Sequence, residues 1–190
     1  MLKDIKTLQK QAVEGWHENK GIKNTNEFLT LVLKQHRFNY ELWHQEDIAR
    51  KKDVSDSVIA EVKRNIDQLN QQRNNHIEKL DEFILNKISQ NSNAKLNSET
   101  MGSIIDRLSI GSLKIYHMAE QFDRTDVDER HIKKSAEKLR ILKIQRDDLF
   151  NCLVELYNDI IQGNRQSRVY RQFKMYNDPS LNPELYKNER

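Results

Sequence analysis

Two arginines stand at positions of the sequence where buried hydrophobic residues are expected. Between residues 62 and 84 the apolar residues recur with the spacing of a helix face that packs against neighbouring helices, and Arg73 lies on that face. Arg146 interrupts a second face of this kind, between residues 132 and 160. Because a guanidinium keeps its proton and is costly to bury alone, the sequence predicts a paired polar layer or an anion-binding pocket inside the protein.

Asp106 is the carboxylate best placed to pair with these arginines. It belongs to a segment, 101–122, that is apolar on two sides and should therefore lie at the centre of the fold. Counted from a shared end of an antiparallel bundle, at a rise of about 1.5 Å per residue, the three charged residues agree in depth within about one turn. We expect a single layer with two further residues at its edges. Its members are Arg73, Asp106, Arg146, Gln35 and His76.

Two interpretations of this layer stay open. It could be a structural ion triad that determines how the helices align. It could instead be a ligand site, because two arginines facing one aspartate leave a surplus positive charge that suits phosphate or carboxylate. The surplus charge favours the second interpretation, so we predict an anionic, phosphorylated ligand.

A second group of side chains has the chemistry to bind a divalent metal. Carboxylates and an imidazole fall at similar depths near one end of the predicted bundle. The chain has no HExxH motif, and residues of these types more often line a solvated helix face or cap a helix. The candidates are Glu46, Asp47, Glu61 and His117. No other cofactor is predicted.

The elements that must position these residues are helices. Five glycines, two prolines and 32% charged residues in a chain of 190 are typical of a helical protein. The periodicity predicts an N-terminal helix followed by four long helices joined by short turns. We therefore predict an all-α fold, an up-down antiparallel helical bundle over residues 1–162. An extended basic and aromatic C-terminal tail, 163–190, is predicted to pack on it.

Local signals place the helix boundaries and the single cysteine. Asn24 and Asp126 are each followed three residues later by a glutamate, a pattern that predicts the starts of the second and fifth helices. Ser98 or Thr100 is expected to begin the fourth. Cys152 falls among leucines and is predicted to be an inert core residue.

The tail carries the excess charge of the chain. It contains six basic and three acidic residues, which accounts for the whole net charge of +3, so the bundle is formally neutral. A neutral body argues against nucleic-acid binding. The tail does interleave basic residues with Tyr170, Phe173 and Tyr176, as an RNA-binding segment would. We prefer the interpretation that these three rings pack onto the bundle.

Nothing in the sequence indicates export or membrane insertion. No apolar run approaches the roughly 20 residues that a membrane-spanning helix needs. The N-terminus lacks the apolar core of a signal peptide, and a single cysteine cannot form an internal disulfide. We predict a cytoplasmic protein without a membrane span.

Five stretches of the chain resemble one bacterial family, the domain-of-unknown-function family 4254. They are NYELWHQEDIAR (39–50), IDQLNQQRN (66–74), SETMGSIIDRLSI (98–110), LKIYHM (113–118) and YRQFKMYND (170–178). The resemblance covers most of the chain after residue 25. It implies an all-helical cytoplasmic protein, often encoded beside lipopolysaccharide and glycosyltransferase genes, and it supplies no catalytic residues. Gly111 departs from the family pattern, in which a larger aliphatic residue is usual.

Three functions remain open, and the sequence does not decide whether the protein is an enzyme. The preferred one is a ligand-binding accessory protein of surface polysaccharide (lipopolysaccharide) synthesis that holds a phosphorylated sugar intermediate on the arginine layer. The second is a metal-dependent phosphohydrolase acting on nucleotides or sugar phosphates. The third is an interaction module whose tail binds RNA or a partner protein. Assembly into a homo-oligomer is also left open.

Overall fold

The computed structural model describes residues 2–187, and its regular secondary structure is almost entirely helical. The predicted all-α class is therefore confirmed. No helix in this part of the chain is both long and apolar enough to span a membrane. Residues 188–190, the end of the predicted tail, lie outside the described residues, as does residue 1. The helices are α1 (Ile5–His17), α2 (Glu27–Ala49), α3 (Asp56–Leu85), α4 (Met101–Phe122), α5 (Glu129–Ile161) and the short α6 (Pro183–Tyr186).

Helix α4 is the central element. It packs against α1, α2, α3 and α5, as expected for a helix that is apolar on two sides. Helix α2 also packs along α3, so that the long helices form two consecutive pairs, α2 with α3 and α4 with α5. The position of a polar residue around α4 therefore decides which neighbouring helices it faces.

The hydrophobic core lies where α1, the start of α2, the end of α3, the start of α4 and the end of α5 meet. Its fully buried members include Ile5, Phe28, Ile84, Met101 and Ile160. The first half of α5 is different, because Ile132, Leu139 and Leu142 on its predicted apolar face are only partly buried. That face is fully buried only toward the C-terminal end of α5, at Leu153 and Ile160, and a cavity lies between α5 and α4.

Two helices begin two residues later than the capping patterns predicted. The N-cap of α2 is Asn26 and that of α5 is Asp128, and each side chain accepts a backbone hydrogen bond from the first turn. Asn24 instead accepts a hydrogen bond from the backbone of Asn26. Capping residues occur twice in close succession at both places, so the local pattern allowed either start. Thr100 caps α4, one of the two predicted residues.

A short parallel ladder was missed by the sequence analysis. Strand β1 (Lys95–Leu96), between α3 and α4, pairs with β2 (Arg165–Gln166), which follows α5. Two residues are too few to produce a recognisable alternation of apolar and polar positions. The ladder fastens the start of the C-terminal segment to the bundle.

The aromatic residues of the C-terminal segment are largely exposed. Tyr170, Phe173 and Tyr176 are 46%, 78% and 64% exposed, so these rings are not core residues of the bundle. The segment is held by polar contacts instead. Arg171 forms ion pairs with Glu78 and Glu82 on α3. A side chain with several donors can thus fasten a segment that buries few of its rings.

Candidate functional site

Arg73 on α3 and Asp106 on α4 form a bidentate ion pair. The Nε of Arg73 donates to Oδ1 at 2.9 Å and its Nη2 donates to Oδ2 at 2.7 Å. Asp106 is only 4% exposed, and this fork-to-fork geometry is the strong form of such a pair. The expected proximity of the two residues is confirmed. The charge of Arg73 is therefore neutralised by the protein itself.

Helix α2 completes the hydrogen bonding of the Asp106 carboxylate. Gln35 Nε2 donates to Oδ1 at 2.5 Å and Asn39 Nδ2 donates to the same oxygen at 2.8 Å. Gln35 was predicted to be in this layer and Asn39 was missed. Asn39 lies four residues after Gln35, and this spacing places both on one helix face and could have revealed it. A buried carboxylate with this many donors has no need of a ligand.

The other two predicted members of the layer lie apart from Asp106. His76 packs its ring against Phe38, and its Nδ1 lies 2.8 Å from the carbonyl oxygen of Gln72 in its own helix. Arg146 Nη2 donates to the carbonyl oxygen of Lys6 on α1 at 2.7 Å. The prediction of one layer containing both arginines was therefore wrong. Counting residues gives depth along a bundle but not the side of α4 that a side chain faces.

Arg146 instead lines a cavity of about 590 Å³ between α4 and α5. Its Nε is buried and has no hydrogen-bond partner among residues 2–187. Burial lowers the pKa of the Arg146 guanidinium below its usual value, and the Asp147 carboxylate opposes that shift. The lining also contains Lys114, Asp148 and the ion pair of Arg107 with Glu99. The charged residues that line this cavity are therefore three cations and two anions.

Cys152 lines the same cavity and is exposed. The prediction of an inert core cysteine was wrong, because residue 152 lies beside the buried positions of α5, which include Leu153 and Leu156. The single thiol of the chain is therefore a natural reporter of whether this cavity is occupied.

The four predicted metal ligands are not brought together. Glu46 forms an ion pair within its own helix, and Glu61 is exposed on α3. Asp47 borders the cavity that His117 lines, without forming a metal-sized group with it. Within the described part of the chain, the carboxylate oxygens and ring nitrogens of these residues do not converge within 4.8 Å. These residues lie at similar depths along the bundle, but equal depth does not place side chains on facing sides of their helices.

Three histidines from three helices do converge. His17 ends α1, His44 lies in α2 and His117 lies in α4, and their ligand atoms lie within 4.8 Å of one another. The Nε2 atom of each ring is buried and has no hydrogen-bond partner among the described residues. Sequence reasoning identified only His117. His44 could have been found by the same depth count, since it lies two residues before Glu46 on the same helix.

The surroundings of His44 favour its neutral imidazole. Burial lowers the pKa of His44, and the proximity of His17 and His117 lowers it further. Each ring of the cluster also packs against the ring of an aromatic residue. The pairs are His17 with Tyr116, His44 with Tyr40 and His117 with Trp43, at centroid distances of 4.2, 4.5 and 4.6 Å. Such packing restricts the orientation of the imidazoles and excludes water from their faces.

Comparison with known proteins identifies a family without an assigned activity. A family model described as "Protein of unknown function (DUF4254)" matches residues 29–169. A search of curated proteins and a search of solved structures each found no match. The matched range includes Arg146, His44 and His117, whereas His17 lies before it.

Proposed function

The chain belongs to the DUF4254 family of proteins of unknown function, and from its geometry we propose that it binds an anionic small molecule in the cavity between α4 and α5. The observation that carries this proposal is Arg146, a lining residue of that cavity whose buried Nε lacks a hydrogen-bond partner in the described structure. A buried donor left without an acceptor is costly, and an anionic ligand would supply the acceptor.

The charges around Arg146 support an anion. Its one hydrogen bond within the described residues goes to a neutral carbonyl group, and its neighbour Asp147 is paired with Lys6. Arg73, by contrast, is neutralised by Asp106. Arg146 is thus the arginine of the predicted layer whose charge is not cancelled by a bonded carboxylate. A phosphate or carboxylate group can accept hydrogen bonds from the Nε and Nη atoms of one guanidinium at once.

The lining of the cavity supports a sugar-like ligand. A volume of about 590 Å³ lies within the range of roughly 300–1,000 Å³ that small-molecule sites occupy. Ile110 and Leu142 provide apolar walls, and Gln145 and Asp148 offer acceptors for hydroxyl groups. A phosphorylated sugar combines these features. A role as an accessory protein of surface polysaccharide synthesis is supported by the family resemblance alone and defines the first ligands to test.

Binding is tested by titrating the protein with glucose 1-phosphate and with uncharged glucose, using calorimetry and thermal shift. We expect saturable binding of the phosphate ester only. In Arg146→Gln the affinity should fall roughly 10- to 100-fold, as expected for loss of a charged hydrogen bond. Arg140→Gln is the matched control, because Arg140 lies exposed on the same helix and pairs with Glu137. Equal binding by both variants, or binding of neither sugar by the wild type, would overturn the proposal.

Alkylation of Cys152 provides a second readout that does not depend on a variant. A ligand in the cavity should slow the reaction of this thiol with iodoacetamide, followed by mass spectrometry of the intact protein. Because the chain has one cysteine, every adduct reports on this position. An unchanged rate at a saturating concentration of the phosphate ester would contradict binding in this cavity.

A metal-dependent hydrolase of phosphorylated compounds is the second candidate function. The specific observation in its favour is the histidine cluster, since an imidazole cluster is a site for a transition metal. The cavity of Arg146 and a neighbouring cavity of about 600 Å³ that His117 lines share Lys114 and Leu142 as lining residues. An anion held by Arg146 would therefore lie beside the space that leads to the cluster.

A tail that binds RNA or a partner protein remains a third proposal. The exposure of Tyr170, Phe173 and Tyr176 leaves their rings available for stacking. Fluorescence anisotropy with a single-stranded RNA distinguishes this role, and Phe173→Ala should weaken binding if these rings carry it. Retention of full affinity by that variant would speak against base stacking on the segment.

A further inference from the structure

We propose that His17, His44 and His117 form a binding site for a divalent transition-metal ion of the Zn²⁺ class, with a coordination position left for water or a ligand. The residues come from three different helices, α1, α2 and α4, and are far apart in the sequence. This inference does not depend on the anion site at Arg146. It replaces the carboxylate-rich metal site expected from the sequence with a site made of nitrogen ligands.

The first argument is the convergence of three unsatisfied nitrogens. Each Nε2 is buried without a hydrogen-bond partner in the part of the chain that the structure describes. Buried polar atoms are nearly always satisfied, so three such atoms on three neighbouring rings point to a common partner. A single water molecule has only two protons and cannot donate to three acceptors. A metal ion accepts all three lone pairs.

The second argument is the tautomer that the surroundings impose. His17 Nδ1 lies 2.8 Å from the carbonyl oxygen of Val13, and His117 Nδ1 lies 2.7 Å from Oε2 of Glu120. Both oxygens can only accept, so these Nδ1 atoms carry the proton and the lone pairs reside on Nε2. Hydrogen bonds from Nδ1 to a carbonyl or carboxylate group are the arrangement that orients histidine ligands in metal sites.

The geometry fits a small tetrahedral ion. The ligand atoms lie within 4.8 Å of one another, and the ring centroids are 5.1 to 5.9 Å apart. Zn²⁺ at its usual distance of roughly 2.0–2.1 Å from each nitrogen would bring them to about 3.4 Å apart. Imidazole ligands favour Zn²⁺, Cu²⁺, Ni²⁺ and Fe²⁺ over Mg²⁺ and Ca²⁺, which prefer oxygen.

Three histidine ligands leave the fourth position of a tetrahedral ion available. This ligand number is characteristic of catalytic zinc sites, in which bound water becomes acidic enough to ionise near pH 7. His117 also borders a cavity of about 600 Å³ together with Trp43, Lys138 and Ile141. That cavity adjoins the one lined by Arg146 through Lys114 and Leu142. The location therefore suits a metal that acts on a bound molecule.

The site is tested by calorimetric titration of chelator-treated protein with Zn²⁺, in buffer without phosphate, and by the visible spectrum of the Co²⁺ form. We expect one ion per chain, a tetrahedral Co²⁺ spectrum and no comparable binding of Mg²⁺. In His17→Gln, His44→Gln and His117→Gln the dissociation constant should rise by at least about 100-fold, since removal of even a supporting residue costs 10- to 100-fold. Each variant is first shown to be folded by its thermal transition without metal.

His131→Gln is the matched control. The Nε2 of His131 is also buried without a partner among the described residues, but His131 lies outside the cluster. Unchanged Zn²⁺ binding in this variant, with loss in the other three, supports the site. Equal binding in all four variants, or no stoichiometric binding by the wild type, overturns it. Arg146→Gln should bind Zn²⁺ normally, so failure of the anion proposal is distinguishable from failure of this one.

Ring-nitrogen NMR of the wild type decides the matter without any variant. On addition of Zn²⁺ the Nε2 resonances of three histidines should shift together, while that of His131 stays in place. A shift of Nδ1 resonances, or a response spread over all six histidines of the chain, would contradict the assigned ligands.

Discussion

Arg73 and Asp106 face each other across α3 and α4, with two hydrogen bonds of 2.9 and 2.7 Å between the guanidinium and the carboxylate. This pair accounts for one of the two arginines that interrupt apolar helix faces. It also separates their roles, because Arg146, within residues 2–187, is bonded only to a carbonyl group and lines a cavity. One arginine therefore joins two helices, and the other is the residue on which the proposed anion site rests.

Removing the charge of Asp106 should destabilise the protein. Asp106→Asn keeps the size of the side chain but leaves the partly buried Arg73 without its counter-ion. Loss of one partner of a buried pair typically costs about 3–5 kcal/mol, and we expect the lower end because Arg73 is partly exposed. Urea unfolding measures this change. Glu137→Gln, which breaks an exposed pair, should change the stability far less. Similar stabilities of the two variants would contradict a structural role for Asp106.

Two glycines of α4 should respond in opposite ways to the same substitution. A Cβ atom at Gly102 would lie 2.5 Å from the carbonyl oxygen of Ile77 and 2.9 Å from Cγ of Asp81, so Gly102→Ala must displace backbone. A Cβ atom at Gly111 would meet only the stem of Arg146, at 3.7 Å or more. Gly111→Ala should therefore raise the free energy of unfolding by roughly 0.5–1 kcal/mol, the usual gain within a helix. Thermal unfolding of both variants provides the measurement, and a stable Gly102→Ala would refute the close approach of α3 and α4.

Asp81 should make the protein less stable as the pH rises from about 4 to 6. Burial raises the pKa of this carboxyl group to about 6, although its hydrogen bonds with Thr100 and the backbone of Gly102 act in the opposite direction. Between its unfolded and folded pKa values the folded state binds more protons, so stability falls with increasing pH by roughly 2–3 kcal/mol. Asp81→Asn should remove this dependence, which is read from the difference between the two pH profiles. Parallel profiles would contradict a raised pKa.

His36 should make the protein less stable as the pH falls, the opposite of the pH dependence expected from Asp81. It is fully buried between the hydroxyl group of Ser109 and the carbonyl group of Gln9, and burial lowers its pKa from 6.5 to about 3. Below pH 6.5 the imidazole of His36 is protonated in the unfolded chain but stays neutral in the folded protein. The free energy of unfolding therefore decreases as the pH falls toward 3. His36→Gln should flatten this part of the profile of unfolding free energy against pH. An equally steep acid loss in the variant would show that His36 is not its source.

Local patterns predicted the helices and the buried charges well. The apolar faces of α3 and α4 lie where their spacing indicated, and Asp106 is buried as expected. Thr100 begins α4 for a local reason, since its side chain accepts the Ser103 N–H. Where two capping residues followed each other closely, as with Asn24 and Asn26, the pattern could not choose between them.

Predictions that required contacts between helices succeeded only in part. Depth along the bundle brought Arg73 to Asp106, yet it also brought Arg146 to the same level although that residue faces a different side of α4. The carboxylate-rich metal site predicted from the sequence was not found for the same reason. His17 and His44 were missed because neither belongs to a local metal-binding motif. His17 also comes from a helix whose position was not predicted in relation to the others.

The sequence by itself determined the helical class, the approximate helix lengths and the need for a partner at Arg73 and Asp106. These properties follow from periodicity and from the cost of burying charge, both of which act along a single helix. Only the tertiary structure decided which side of α4 each polar residue faces. The rotation of each helix about its axis depends on how helices α1 to α5 pack together. The same packing determines which helices are its neighbours. That packing separates Arg146 from Asp106 and brings His17, His44 and His117 to one point.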